Sequence, residues 1–287
     1  MSEPFSKNIL EMSYVDVAAK LKETDVIMVP IGSCEKHGAH VPLGTDSFTT
    51  ISVVEQAAEK ADILHTPLIP IGYSPHHMGR VNEGVGTLTF TAETFRRIVY
   101  EVAKSLIFHG FNKIIYVSHH GSNTKPIEEI LRRIRYETGA FVAWYKTPTE
   151  RECAVVKDIL EGPPEETPGW HAGEMETAQI MAYDERLVNM DRAVQDRAHA
   201  PKWLGPEFSK RDGTITVEFQ KSENIIIPME HHEYSDSATI GNPFRGTKEK
   251  GEKLFEKEAD HLRDFINEIK KVDIKIADRD FPERGGY

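Results

Sequence analysis

Four apolar runs of strand length mark the first half of the chain: VIMVPIG from Val26 to Gly32, ILHTPLIPIG from Ile63 to Gly72, KIIYVSHHG from Lys113 to Gly121 and AFVAWY from Ala140 to Tyr145. They are continuous rather than alternating, which is the pattern of strands buried on both faces. Helical spacing fills the gaps, over Ser47 to Ala61, Ala92 to His109 and Pro126 to Glu137, the last with Pro126 at a first helical position. Strand and helix therefore alternate. That alternation predicts an α/β fold with a central, mainly parallel sheet flanked by helices, and it gathers ligands beyond the carboxyl ends of the strands.

The second half is less regular. EGPPEETPGW reads as a proline-rich loop, HAGEMETAQIMAYD as a helix, and GTITVEFQKSENIIIPM as a hairpin or two short strands. The charged stretch from Arg245 to Val272 reads as a long amphipathic helix, with Leu254, Phe255, Leu262, Phe265 and Ile266 on its apolar side. No repeat, low-complexity tract or dividing linker interrupts the pattern, so residues 1–287 are expected to form a single domain.

Composition narrows the partners. With 287 residues and 39% apolar content the chain can bury a sizeable core. A net charge of −11 argues against nucleic acid or an anionic membrane surface as partner and for a small-molecule substrate. No run reaches the roughly 18 apolar residues of a membrane span, and the first residues carry no apolar signal core, so a cytoplasmic protein is expected. Cys34 and Cys153 are too few for a disulfide framework, which suits a reducing compartment.

Candidate chemistry follows the strand ends. After the first strand, PIGSCEKHGAHVPLGTDS crowds Glu35, His37, His40 and Asp46 together. Glu35 and His37 are two residues apart, so on extended chain both point to one side. Asp46 precedes a helix, where it can cap the helix or bridge cations. The third strand ends in His119 and His120. Neighbours on an extended chain point oppositely, and Gly121 favours a close backbone approach at His120, so His120 is the expected ligand. In GWHAGEMETA, His171 shares a helical face with Glu174, whereas Glu176 lies about 140° round, and periodicity alone leaves the choice between the two carboxylates open. YSPHHMGRVNEGVGTLTF, with His76, His77, Arg80 and Glu83, has the character of a substrate-facing loop.

Carboxylates mixed with imidazoles suit two divalent ions, which can acidify a shared water and polarise a carbonyl. Hydrolysis is the natural reaction class. Two rival readings predict different outcomes: a non-catalytic, metal-stabilised small-molecule-binding protein, and a thiol hydrolase using Cys34.

The motifs GSCEKHGAHVPLGTD, HHGSN after a hydrophobic strand and HAGEMETA, with the weaker VGTLTF and ATIGNPFRGTKEKGE, together resemble the creatininase family of creatinine amidohydrolases. The resemblance implies a single α/β domain, a binuclear metal centre at the strand ends and a homo-oligomer, commonly a hexamer. It implies Glu35, His37, Asp46, His120 and Glu176 as metal ligands with Asp46 bridging, and His171 as the acid or base that handles the leaving group. It is this match that favours Glu176 over Glu174. Zinc is the first metal expected, with manganese or iron(II) as alternatives. Lys36 stands where the family typically has glutamine, and HHGSN departs from the form of true creatininases, so the expected substrate shifts away from creatinine. The family also includes formamide-opening enzymes, a peptide-trimming member and members resembling a cyclic-diketone hydrolase of inositol catabolism. The expected reaction is attack of metal-held hydroxide on a carbonyl of a small polar ring, with C–C cleavage of a keto-inositol as the specific candidate and C–N cleavage of a cyclic amide or formamide as the alternative. Lys36, His77 and Arg80 are the expected substrate-binding residues.

Overall fold

The computed structural model describes residues 6–147, 154–161 and 171–286. Most of the proline-rich EGPPEETPGW segment, and Cys153, lie outside the described residues. A short helix, α1 (Tyr14–Leu21), precedes β1 (Val26–Pro30). Then follow α2 (Thr45–Ala61), β2 (Leu64–His65), α3 (Ala92–His109), β3 (Lys113–Ser118), α4 (Glu128–Thr138) and β4 (Phe141–Lys146). The four strands form one parallel sheet in the order β2-β1-β3-β4.

The unbroken apolar runs of β1 and β3 bury both faces of this sheet. Ile27, Val29, Ile114 and Tyr116 face one side, packed with α3 and α4 residues such as Phe95, Ile107 and Ile134. Val26, Met28, Ile115 and Val117 face the other, against Val53, Val54 and the C-terminal helix. Two strands depart from the expectation. The run from Ile63 to Gly72 makes a ladder only at Leu64–His65, with isolated bridges from His65 to Asn8, Ile69 to Ile31 and Gly72 to Thr89. Pro67 and Pro70 have no N–H to donate, and the strand sits at the sheet edge, where prolines are tolerated. β4 forms the other edge and is half-buried along its length rather than buried on both faces.

Helix limits follow local chemistry. Thr91 caps α3 by accepting from the Thr94 N–H, and Gly110, at φ 115°, ends it in the left-handed region. α4 begins two residues beyond Pro126, because Gly121–Thr124 forms a separate 3-10 turn. In the second half, α5 (Glu174–Asp184) is followed by an antiparallel sheet of β5 (Phe208–Ser209), β6 (Thr216–Phe219) and β7 (Ser222–Ile226). Gln220 and Lys221 both take positive φ in the tight turn between β6 and β7, the backbone that suits strand twist in a short hairpin. One helical turn, α6 (His231–Tyr234), and the long α7 (Lys248–Lys270) complete the chain. α7 buries Leu254, Phe255, Leu262 and Ile266 as its spacing predicts, and it also buries Glu258. Among the described residues no helix is long and apolar enough to cross a membrane.

Candidate metal centre

The carboxyl ends of β1 and β3 and the first turns of α2 and α5 converge on one cavity of about 280 Å³. Its wall includes Glu35, Asp46, His77, His120, His171 and Glu176. Beyond β1 the chain carries Glu35 and His37 inward together, as their spacing predicts, and both are buried. The Ser33 hydroxyl donates to Glu35 Oε2 at 2.9 Å, and the Ser74 hydroxyl donates to the same oxygen. His37 Nδ1 donates to the Glu35 carbonyl at 3.1 Å, which turns Nε2 toward Asp46 and Glu176. His120 is set the opposite way. Its Nε2 donates to the Tyr73 carbonyl at 3.1 Å, which leaves Nδ1 facing Asp46 Oδ2 at 3.4 Å.

Asp46 and Glu176 both lie in the first turn of a helix, where the exposed N–H groups favour negative charge. Asp46 does not cap α2. The cap position is Gly44, and the Asp46 side chain turns into the cavity, where Oδ2 has no hydrogen-bond partner among the described residues. His37 Nε2 is likewise without a partner, 3.7 Å from Asp46 Oδ2 and 3.7 Å from Glu176 Oε2. Where α5 begins brings Glu176, and not Glu174, to the cavity wall. Ala172, at φ 50°, turns the chain sharply, and its N–H donates to Glu176 Oε2 at 2.5 Å. The helix then starts at Glu174, whose Oε1 binds Lys250 Nζ at 2.6 Å, away from the histidines.

Four sets of ligand atoms, each within 4.8 Å of one another, occur among the described residues: His77, His171 and His231; Glu35, His37 and His171; and the two that hold an aspartate, Glu35, Asp46 and His120, and His37, Asp46 and Glu176. Asp46 is shared by the last two. Three buried carboxylates in one pocket need positive charge beside them, supplied by protons or by cations. The charges of the site are perturbed accordingly. Burial raises the Glu35 carboxyl, and the Asp46 carboxylate adds to the rise. Burial would also raise Asp46, but His37 and His120 outweigh it and hold Asp46 below the usual carboxylate range. His120 is depressed by burial yet pushed up to about 9 by the Glu35 and Asp46 carboxylates.

His171 is placed beside both Asp46 sets. Its Nε2 donates to the Lys36 carbonyl at 2.7 Å, its ring stacks on His37 with centroids 3.9 Å apart, and Nδ1 is 4.0 Å from Glu35 Oε1. Burial, reinforced by the charge of His37, pushes His171 down to about 3, so the ring is neutral with its Nδ1 lone pair toward the cavity.

Other expected residues fall differently. His77 faces the site, with Nε2 3.3 Å from Glu35 Oε1. The cavity wall includes neither Lys36 nor Arg80. Lys36 meets the site through its backbone carbonyl, and Arg80 is exposed on the loop, where its N–H binds Glu83. His40 binds the Thr177 hydroxyl instead of joining the cluster. The alternation rule chose between His119 and His120, but both reach the cavity, because the chain leaves the strand at Ser118 and turns into the 3-10 segment. His119 Nε2 lies 3.5 Å from Glu176 Oε1, and its Nδ1 meets the Thr147 hydroxyl at 2.6 Å. Cys34 lies off the cavity wall with its thiol directed at the Gly86 carbonyl, and burial pushes the thiol up, against a nucleophilic role. Sequence reasoning missed His231 and Tyr234, which α6 brings to the wall from far along the chain.

The sequence profile described as creatininase, creatinine amidohydrolase, matches residues 10–266. The chain belongs to the creatininase family. Members of this family are metal-dependent hydrolases. The chain is 30% identical over 212 residues to the 3-dehydro-scyllo-inosose hydrolase of Thermotoga maritima, matching 72% of this chain and 65% of that protein, a little under two thirds of its length. It is 26% identical over 270 residues to the creatinine amidohydrolase of Pseudomonas putida, across 90% of this chain and 95% of that one. A solved creatinine amidohydrolase superposes with a TM-score of 0.73 at 22% identity, covering 94% of this chain and all of that one, and a creatininase described as the Mn form gives 0.71 at 24%, covering 93% and all. At these identities the structures establish the creatininase fold.

Proposed function

We propose that this creatininase-family chain holds two divalent ions and hydrolyses a small, polyhydroxylated keto ring. The observation that carries the reading is the sharing of Asp46 between two sets of buried ligands. One ion would be held by Glu35, Asp46 and His120, the other by His37, Asp46 and Glu176. The donors are nitrogen and oxygen with no thiolate, which suits zinc first and accommodates manganese or iron(II). Two such ions, when bound, acidify a shared water and polarise the carbonyl under attack.

The chain's own groups do the rest. Ser33 and Ser74 fix the Glu35 carboxylate, and the Glu35 and Tyr73 carbonyls hold Nδ1 of His37 and Nε2 of His120. His171, neutral and held by the Lys36 carbonyl, presents Nδ1 to accept a proton released during attack and return it to the departing atom. The balance is that of hydrolysis. Water oxygen joins the carbonyl carbon and the bond from that carbon to the neighbouring ring atom breaks; the departing nitrogen, or the departing carbon leaving as the enolate of a second ring carbonyl, takes one water proton, and the other is released as the carboxylate forms.

A keto-inositol ring is favoured by the likeness to the T. maritima hydrolase and by a wall rich in neutral polar groups, among them Ser122, Thr214 and His231. Cleavage is then C–C, with His77 on the wall as a substrate contact. A cyclic amide, cleaved at C–N, is the second reading, supported by the match along nearly the whole of the P. putida creatinine amidohydrolase. Nuclear magnetic resonance of the reconstituted protein with 3-dehydro-scyllo-inosose, and separately with creatinine, distinguishes them. Ring-opened acid from the keto ring is expected, and turnover of creatinine alone would replace the first reading by the second.

A further inference from the structure

His231 is buried at 1% exposure, yet neither of its ring nitrogens has a hydrogen-bond partner among the described residues. His77, 3% exposed, has Nδ1 unpartnered as well. The two rings stack with centroids 4.3 Å apart, and His231 lies 4.8 Å from the His171 ring, all three on the cavity wall. The placement of His231 is built rather than incidental. Glu230 and Glu233 form a reciprocal capping box around α6, and His232 Nδ1 lies 3.3 Å from Glu83 on the loop that carries His77. Tyr234 packs edge-on against the His231 ring, with centroids 5.0 Å apart.

A buried polar atom without a partner is costly, so such a pair calls for a ligand. Three imidazoles within 4.8 Å could hold a further cation. Charge argues otherwise: two divalent ions already exceed the three carboxylates of the site, and His77, His171 and His231 add no negative charge. His77 Nε2 lies 3.3 Å from the buried Glu35 carboxylate and His231 stacks on the same His77 ring, so a further carboxylate or phosphate there would meet a like charge. An imidazole with one N–H and one lone pair suits a group that both donates and accepts, and a hydroxyl does both through a single atom. We propose that His231, together with His77, is a substrate-positioning pair that binds neighbouring hydroxyl groups of a cyclic polyol. This rests on the keto-ring reading above and names the contacts that would hold such a ring.

The probe is scyllo-inositol, a cyclic hexol with no carbonyl to hydrolyse, titrated by calorimetry into metal-reconstituted protein and into His231→Phe and His231→Asn. The expected result is binding that weakens about tenfold in His231→Phe and is partly retained in His231→Asn, with metal content and cooperative unfolding unchanged. His231→Asn keeps the test valid should the phenylalanine variant fail to fold. Equal affinity in wild type and variants would overturn the role of His231 while leaving the polyol reading intact. Absence of scyllo-inositol binding in wild type, with turnover of a cyclic amide, would overturn both. A third divalent ion per chain that disappears in His231→Phe would replace the hydroxyl site by a metal site.

Discussion

At the level of single residues, the centre depends on which nitrogen of each histidine is free. The Glu35 and Tyr73 carbonyls hold Nδ1 of His37 and Nε2 of His120, so each ring turns its other nitrogen toward Asp46. Because a metal must displace the proton on His120, the pKa of about 9 sets a pH dependence. The sign follows from the direction of the shift. A histidine raised above its unfolded value of about 6.5 stabilises the metal-free fold below that pH and loses the contribution as pH rises through about 9. Metal affinity should therefore strengthen over that window, with protons released on binding, measurable by calorimetry in buffers of different ionisation enthalpy; pH-independent affinity with no proton release would contradict this. For His171, the neutral ring and free Nδ1 predict that His171→Gln keeps its metal while kcat on the identified substrate falls about 100-fold or more. An unchanged kcat would remove His171 from the proton path. Glu35, His37 and Asp46 were legible in the sequence because they follow one strand within a short stretch. His119 was not, since alternation holds only while the chain stays extended, and His231 carries no spacing to the other cavity residues at all.

At the level of elements, the site is as good as the packing that sets α2 and α5 against the sheet and α7. A Cβ at Gly32 would lie 2.5 Å from the Ser47 backbone, so glycine permits the approach of β1 to α2 that brings Glu35 and Asp46 together. Gly251 does the same for α7 and α5, where a Cβ would meet the Ala178 carbonyl oxygen at 2.0 Å. Gly251→Ala is expected to destabilise the protein by about 1–3 kcal/mol, read as a lower urea midpoint at constant slope. It should also weaken metal uptake, because α5 carries Glu176. Elements with clear caps were read accurately from sequence, α3 to the residue. The second apolar run was over-read because its prolines interrupt the ladder, and α1, the eight residues Tyr14–Leu21, was not read from the sequence.

For the whole molecule, the parallel order of the sheet places the ends of β1 and β3 side by side, and this was legible from the alternation of strand and helix. The closing wall was not, since α6 and the connection between β5 and β6 reach it by a route that local pattern does not encode. The C-terminal helix also holds an element of stability that pattern hides. Glu258 is fully buried on α7, its carboxylate oxygens 3.2 and 3.3 Å from the Gln179 amide nitrogen, and burial pushes it up to about 8. A carboxyl raised above its unfolded value of about 4.3 is favourable while protonated and loses that contribution as pH rises through about 8. Glu258→Gln should therefore raise the Tm more at pH 8.5 than at pH 5; a gain independent of pH would show that Glu258 is charged throughout.

The account as a whole turns on one aspartate serving two ions. Elemental analysis of protein purified without chelator or affinity metal, alongside Asp46→Asn with its fold verified by circular dichroism, tests it directly. About two divalent ions per chain, falling to one or none in the variant, is the predicted result. No ion in either protein, with none taken up on reconstitution, would contradict the centre and the hydrolysis built on it.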